Sequence, residues 1–101
     1  MILVLDIGNT QTVLGVFEGE RLLADWRLAT QRQHTSDEYG LMVTALLEKS
    51  MIDIDRLRGI ILSSVVPPVT GMFVEMCRRY FHLAPLLVGP GIRTGLVIRY
   101  E

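Results

Sequence analysis

Apolar residues come in short blocks separated by polar turns, and the first block is the sharpest. Met1-Ile2-Leu3-Val4-Leu5 runs unbroken into an acid, Asp6, then passes through Ile7-Gly8-Asn9-Thr10-Gln11-Thr12 into a second apolar block, Val13-Leu14-Gly15-Val16-Phe17. A run of four to six apolar residues bounded by turn residues reads as a strand buried on both faces. The Gly8-Asn9 pair marks a tight hairpin, so residues 12–17 form a second strand returning beside the first. Glu18-Gly19-Glu20 is another turn, and residues 22–28 alternate as a third strand. There Leu22, Ala24, Trp26 and Leu28 share one face, while Leu23, Asp25 and Arg27 share the other, the pattern of an edge-side strand with one wet face. The three strands make an antiparallel meander, with Trp26 as a packing residue.

Residues 30–34 are polar and without period, which suits a loop. A helix opens at Thr35-Ser36-Asp37-Glu38, where Thr35 and Glu38 have capping-box spacing, the acids lie in the first turn and Lys49 lies in the last. Tyr39, Val43, Leu46, Leu47 and Ser50 mark its buried face. Residues 51–58 link this helix to a fourth strand, 59–66, which should run parallel to its neighbour because a helical crossover precedes it. If that neighbour is the first strand, Ser63 and Ser64 end on the same edge as Asp6. Pro67-Pro68 then opens a second helix, where missing donors do little harm. Val69, Phe73, Met76, Cys77 and Tyr80 form its buried face, and its dipole accounts for Arg78 and Arg79 in the last turn. Residues 85–88 read as a fifth strand. The following Gly89-Pro90-Gly91-Ile92-Arg93-Thr94-Gly95 is either a ligand-lining loop or plain surface, and residues 96–101 alternate.

Composition narrows the classes. A length of 101 residues makes one domain with a single core, too short for the two lobes that a nucleotide cleft often needs. Ten basic and eleven acidic residues leave a net charge of -1, which provides no broad attraction to nucleic acid or to an anionic membrane. A positive mean hydropathy of +0.36 places the chain among globular proteins. One cysteine and five methionines suit a reducing compartment, with the cytoplasm as the default. The N-terminal apolar run lacks the basic flank and cleavage site of a signal peptide, and no run approaches the roughly 20 apolar residues that span a bilayer.

Asp6 carries the chemistry. Its carboxylate stands at the mouth of a turn in which Gly8 lets a ligand approach the backbone, Asn9 tolerates a left-handed conformation, and Thr10 and Thr12 add hydroxyls beside free N–H groups. These are the parts of a phosphate cradle. Magnesium is commonly held by one or two carboxylates together with nucleotide phosphates, which gives Asp6 a role as its ligand. The plain alternative is a structural hairpin. An acid at the end of a buried strand, with no charged residue in the preceding five, costs stability and therefore favours function. His34 and His82 have no partner of ligand spacing and read as surface residues, and Cys77 reads as core.

Three meandering strands followed by helix, strand, helix and strand resemble the ribonuclease-H-like core of actin, heat-shock chaperones and sugar kinases, an α/β fold with a mixed five-stranded sheet and helices on its faces. The likeness is closer to one family. Asp6-Ile7-Gly8-Asn9-Thr10, Asp25-Trp26-Arg27-Leu28, Thr35-Ser36-Asp37-Glu38-Tyr39, Ser63-Ser64-Val65-Val66-Pro67-Pro68, Val88-Gly89-Pro90-Gly91, Thr94-Gly95-Leu96 and Arg99-Tyr100 resemble type III pantothenate kinase from end to end. That resemblance implies ATP-dependent phosphorylation of pantothenate, the first step of coenzyme A synthesis, by a cytoplasmic homodimer using magnesium and potassium or ammonium. It implies ATP-phosphate contacts at Asp6, Ile7, Gly8, Asn9, Thr10, Gln11, Thr12 and Val13, and a pantothenate contact at Tyr100.

The resemblance covers less than half of the family's usual length, so the chain reads as an incomplete N-terminal ATPase domain. The family's catalytic aspartate, potassium ligand and second phosphate motif fall beyond Glu101. Asp53 and Asp55 lie in a linker and Asp25 lies inside a strand, so none substitutes for the base. Two other readings stand beside this one: another kinase or ATPase of the superfamily, against which Asn9 argues mildly, and a non-catalytic, transcription-related accessory protein, which the lack of a basic stripe disfavours.

Overall fold

The structure is a computed structural model, and it describes residues 1–89. Its strands are β1 (Ile2–Ile7), β2 (Gln11–Glu18), β3 (Arg21–Ala29), β4 (Gly59–Ser64) and β5 (Leu86–Val88). Two helices, α1 (Ser36–Lys49) and α2 (Pro67–Phe81), and a 3-10 turn at Ile54–Arg56 complete it. The five strands make one sheet in the order β3-β2-β1-β4-β5. β1, β2 and β3 pair antiparallel, while β4 runs parallel to β1 and β5 runs parallel to β4, as a meander followed by two helical crossovers requires.

Alternation along the strands sorts their side chains onto two faces. Leu3, Leu5, Ile7, Leu14, Val16, Ile60 and Leu62 join Tyr39, Val43 and Leu47 of α1 and Val69, Phe73, Met76, Cys77 and Phe81 of α2 in one buried cluster. Both helices therefore pack on the same face among the described residues, and they also touch each other. Val4, Val13 and Phe17, with Ile2 and Ile61, form a smaller cluster on the opposite face. Burying a side chain of this size is worth about 1.5–3 kcal/mol, so the larger cluster dominates the stability of the domain.

The local signals hold with adjustments. Thr35 caps α1 by accepting from the Glu38 N–H at 3.2 Å, and Glu38 Oε1 accepts from the Thr35 N–H at 2.7 Å, a complete capping box. Pro67 and Pro68 open α2 as expected. Trp26 is half-buried against the main cluster, in keeping with a packing role. β1 ends at Ile7, one residue beyond the expected end at Asp6, and β4 stops at Ser64 because Val66 is already the N-cap of α2. Ser50 is the exposed C-cap of α1, so it does not belong to the buried face. Phe81 replaces Tyr80 on the buried face of α2: the Tyr80 ring lies over Gly40 of α1, and its hydroxyl donates to Asp37 Oδ1 at 2.9 Å. A bulge at Val16/Phe17 shifts the β2–β3 register, pairing Val16 with Ala24 but Phe17 with Leu22. Leu22 and Leu23 are both exposed as a result. No helix among the described residues is long and apolar enough to cross a membrane.

Candidate functional site

The strand directions bring one set of termini together. The C-terminal ends of β1 and β4, the β1–β2 turn, the end of β3 and the starts of both helices all lie at one end of the sheet. Asp6 pairs in register with Ser63 of β4 and Val13 of β2, and all three project from the face opposite the helices. Asp6 and Ser63 are half-buried, and among the described residues neither side chain has a hydrogen-bond or ion-pair partner. The adjacent Ser64 points the other way. Its Oγ accepts from the Val66 N–H at 3.0 Å and from the Thr70 hydroxyl at 2.9 Å, so it is consumed in starting α2.

The turn closes through the Gly8 N–H, which donates to the Gln11 carbonyl at 2.8 Å. Left-handed backbone among the described residues occurs at Gly19, Met51 and His82, so Asn9 does not use the left-handed conformation that its sequence suggested. Gly8 is needed for closeness, because a Cβ there would come within 3.0 Å of the Gln11 oxygen. Asn9 and Thr10 are exposed, and their N–H groups make no hydrogen bond among the described residues.

These amides are the anion donors that the turn itself offers. α2 starts beside them, yet Pro67 and Pro68 have no N–H, the Val69 N–H is spent on the Val66 carbonyl at 3.0 Å, and the Val66 N–H on Ser64. A helix N-terminus that would ordinarily attract phosphate is thus closed, and the turn is open.

The eight residues expected at the phosphates divide by accessibility. Asp6, Gly8, Asn9, Thr10 and Gln11 are exposed or half-buried around the turn. Ile7 and Val13 are core residues on opposite faces of the sheet. Thr12 is fully buried, and its hydroxyl shares a 2.9 Å hydrogen bond with that of Thr30 instead of facing a ligand. Tyr100 lies outside the described residues. Sequence reasoning passed over Thr30, placed in a featureless loop, and the polar end of Tyr39, assigned only to the core. A buried tyrosine hydroxyl must find partners, and that was the available signal.

Other candidates resolve into structure. Burial pushes the Cys77 thiol up to about 12, so it is not a nucleophile at neutral pH. His34 Nδ1 lies 3.3 Å from Glu38 Oε1, and its ring meets Tyr39 edge-on. Asp37 holds Tyr80 and Arg79, Asp53 caps the 3-10 turn by accepting from the Asp55 N–H, and Asp25 sits mid-strand opposite Gly15. None of these carboxylates lies at the turn.

Comparison with known proteins gives the family. The sequence model of type III pantothenate kinase matches residues 2–101. The chain belongs to the type III pantothenate kinase family. It is 54% identical over its whole length to the type III pantothenate kinase of Geobacillus kaustophilus (strain HTA426), of which it covers 39%. It is 48% identical to that of Geobacter sulfurreducens (strain ATCC 51573 / DSM 12127 / PCA), covering all of this chain and 40% of the relative. The chain thus spans about two-fifths of the length of these family members. In fold it matches the crystal structure of a ROK hexokinase from Thermus thermophilus, with a TM-score of 0.64 and 16% identity over 87% of this chain and 34% of that one. The shared fold is the mixed sheet with flanking helices of the actin-like ATPases.

Proposed function

We propose that this chain is the N-terminal, phosphate-gripping part of an enzyme that transfers the terminal phosphoryl group of ATP to pantothenate, giving 4'-phosphopantothenate in the cytoplasm. The observation that carries this reading is the unpaired Asp6 carboxylate, set in register with Ser63 beside a turn whose Asn9 and Thr10 amides are free among the described residues, in a chain of this family. Phosphoryl transfer is mostly positioning and charge stabilisation, and preformed N–H donors supply both without reorganising. The Asn9 and Thr10 amides would bind phosphate oxygens, with Gly8 allowing the approach. Asp6 fits a magnesium–phosphate complex, since a half-buried carboxylate with no ion-pair partner among the described residues gains from a bound cation. Magnesium, when bound, neutralises developing charge on the phosphates. Pantothenate contact at Tyr100, the monovalent cation (potassium or ammonium) and the homodimer belong to the same proposal.

The acceptor hydroxyl also needs a base, and no carboxylate among the described residues other than Asp6 stands at the turn. General-base assistance contributes about 10²–10⁴-fold. The 101-residue chain alone should therefore release no pantothenate-dependent ADP in a coupled assay with magnesium and potassium, while a family-length enzyme carrying these residues should do so. ADP release by the isolated chain would place the base within it and defeat the division of labour proposed here.

A further inference from the structure

The turn is held from behind by a polar lock that runs through the core. Thr30 donates its N–H to the Thr10 carbonyl at 2.9 Å and shares a 2.9 Å hydroxyl hydrogen bond with the fully buried Thr12. On either side of Thr30, the Tyr39 hydroxyl donates to the Ala29 carbonyl at 2.6 Å and accepts from the Gln31 N–H at 2.9 Å. Tyr39 is itself fully buried, and its ring packs against Phe73 with centroids 4.7 Å apart. A tyrosine anchored between the two helices therefore clamps residues 29–31, and the clamped segment grips the turn at Thr10 and Thr12.

We propose that Thr30, fixed by Tyr39, is a positioning residue for the phosphate turn, setting the direction in which the Asn9 and Thr10 amides face. The inference rests on the reading of that turn as the ATP-phosphate site. Besides its own closure from Gly8 to Gln11, the exposed part of the turn is tied to the rest of the fold by the Thr30-to-Thr10 hydrogen bond. That bond continues the β2–β3 ladder one step beyond the Gln11–Ala29 pair, and the hydroxyl pair reinforces it where the ladder ends, Thr30 being the partner of the buried Thr12 hydroxyl. Donors that must be re-aimed when ligand arrives lose the advantage of preorganisation, and loss appears as weaker nucleotide binding.

The test uses a family-length enzyme carrying these residues. Thr30→Val keeps the shape and the N–H but removes the hydroxyl, and it should raise KM for ATP about tenfold, the upper range for one net hydrogen bond, with KM for pantothenate and kcat within about twofold. Thr30→Ser should restore the wild-type KM. Thr70→Val serves as the structural control: it removes a hydroxyl hydrogen bond at the start of α2 without touching the turn, and it should leave both KM values unchanged. An unchanged KM for ATP, an equal rise in both KM values, or failure of serine to rescue overturns the inference. If Thr30→Val does not fold, Tyr39→Phe must show the same split between substrates, and its absence is equally fatal. Asp6→Asn measured alongside separates the two levels: retained turnover defeats the phosphate-site reading itself, whereas lost turnover with a silent Thr30→Val defeats only the role of Thr30.

Discussion

The two ends of β1 are built from similar materials and finished in opposite ways. At the start of the strand, the Met1 amine donates to the Arg56 carbonyl at 3.2 Å and lies 3.9 Å from Glu18 Oε2, while Arg56 donates to Glu18 Oε1 at 3.3 Å. A groove of about 480 Å³ runs there among Met1, Glu18, Asp55, Arg56, Leu57 and Arg58, but its principal charges answer one another. At the other end there is an acid with no partner among the described residues, a serine beside it in the same condition, and two free amides. Paired polar groups indicate a finished surface, whereas unpaired groups held in register at a sheet end indicate a site completed by ligand. An opening alone is thus the wrong guide here, and hydrogen-bond accounting is the right one.

Asp6→Asn should break this contrast most severely. In a family-length enzyme it should lower kcat at least about 10²-fold, the scale of removing one preorganised charge-stabilising group. Stability should change by no more than about 0.5 kcal/mol, because no ion pair among the described residues is lost. Steady-state kinetics and thermal melting read the two quantities separately. A large fall in melting temperature would make Asp6 a structural acid. Gly8→Ala comes next. Its Cβ would meet the Gln11 carbonyl at 3.0 Å, so that backbone must give by a few tenths of an ångström; the variant should lose about 1 kcal/mol, the low end for overpacking, and KM for ATP should rise with it. A variant of normal stability and normal KM would show that the closure of the turn is not needed.

Much of this was legible in the sequence because local signals and global fold agree. The capping box, the Pro-Pro helix start and the apolar run into Asp6 each mark an element, and the helical crossover before β4 fixes its direction, which in turn puts Ser63 beside Asp6. What was not legible depends on which face a residue takes. Thr12 looks like a ligand contact in a row of turn residues, but strand alternation sends its hydroxyl into the core toward Thr30. Ser63 and Ser64 are identical in sequence terms, yet one faces the site and the other starts a helix. Asn9 suggested a left-handed residue and Gly8 a close approach by a ligand, whereas the close packing of Gly8 on Gln11 is invisible without coordinates. A one-residue uncertainty in strand phase inverts every such assignment.

At the finished end, Glu18→Gln should have a much smaller effect. Glu18 and Arg56 are each about half exposed, at 49% and 61% of the side chain, so solvent screens the pair. The loss should be no more than about 1 kcal/mol and should shrink further in high salt, with kinetics unchanged. A kinetic defect would mean that the two ends of β1 communicate.

The smallest expected effect lies at the open end, where one acid behaves as those of the finished end do. Glu38 accepts the Thr35 N–H at 2.7 Å, and that hydrogen bond, against an opposing effect of burial and with help from the His34 charge, holds its carboxyl below the ordinary value of 4.5. The folded state therefore binds this proton less tightly than the unfolded chain does. The contribution of Glu38 is fully present above pH 4.5 and is lost as pH falls through the lowered folded value. Glu38→Gln retains an oxygen acceptor for the Thr35 N–H but cannot titrate. It should slightly destabilise the protein at neutral pH, where the ionised acceptor is stronger, and the difference from wild type should narrow as pH is lowered through the acid range. Melting curves followed by circular dichroism across that range check the sign. A difference that widened toward low pH would mean that the carboxyl is held above its ordinary value, and the capping box would then not be what holds Glu38.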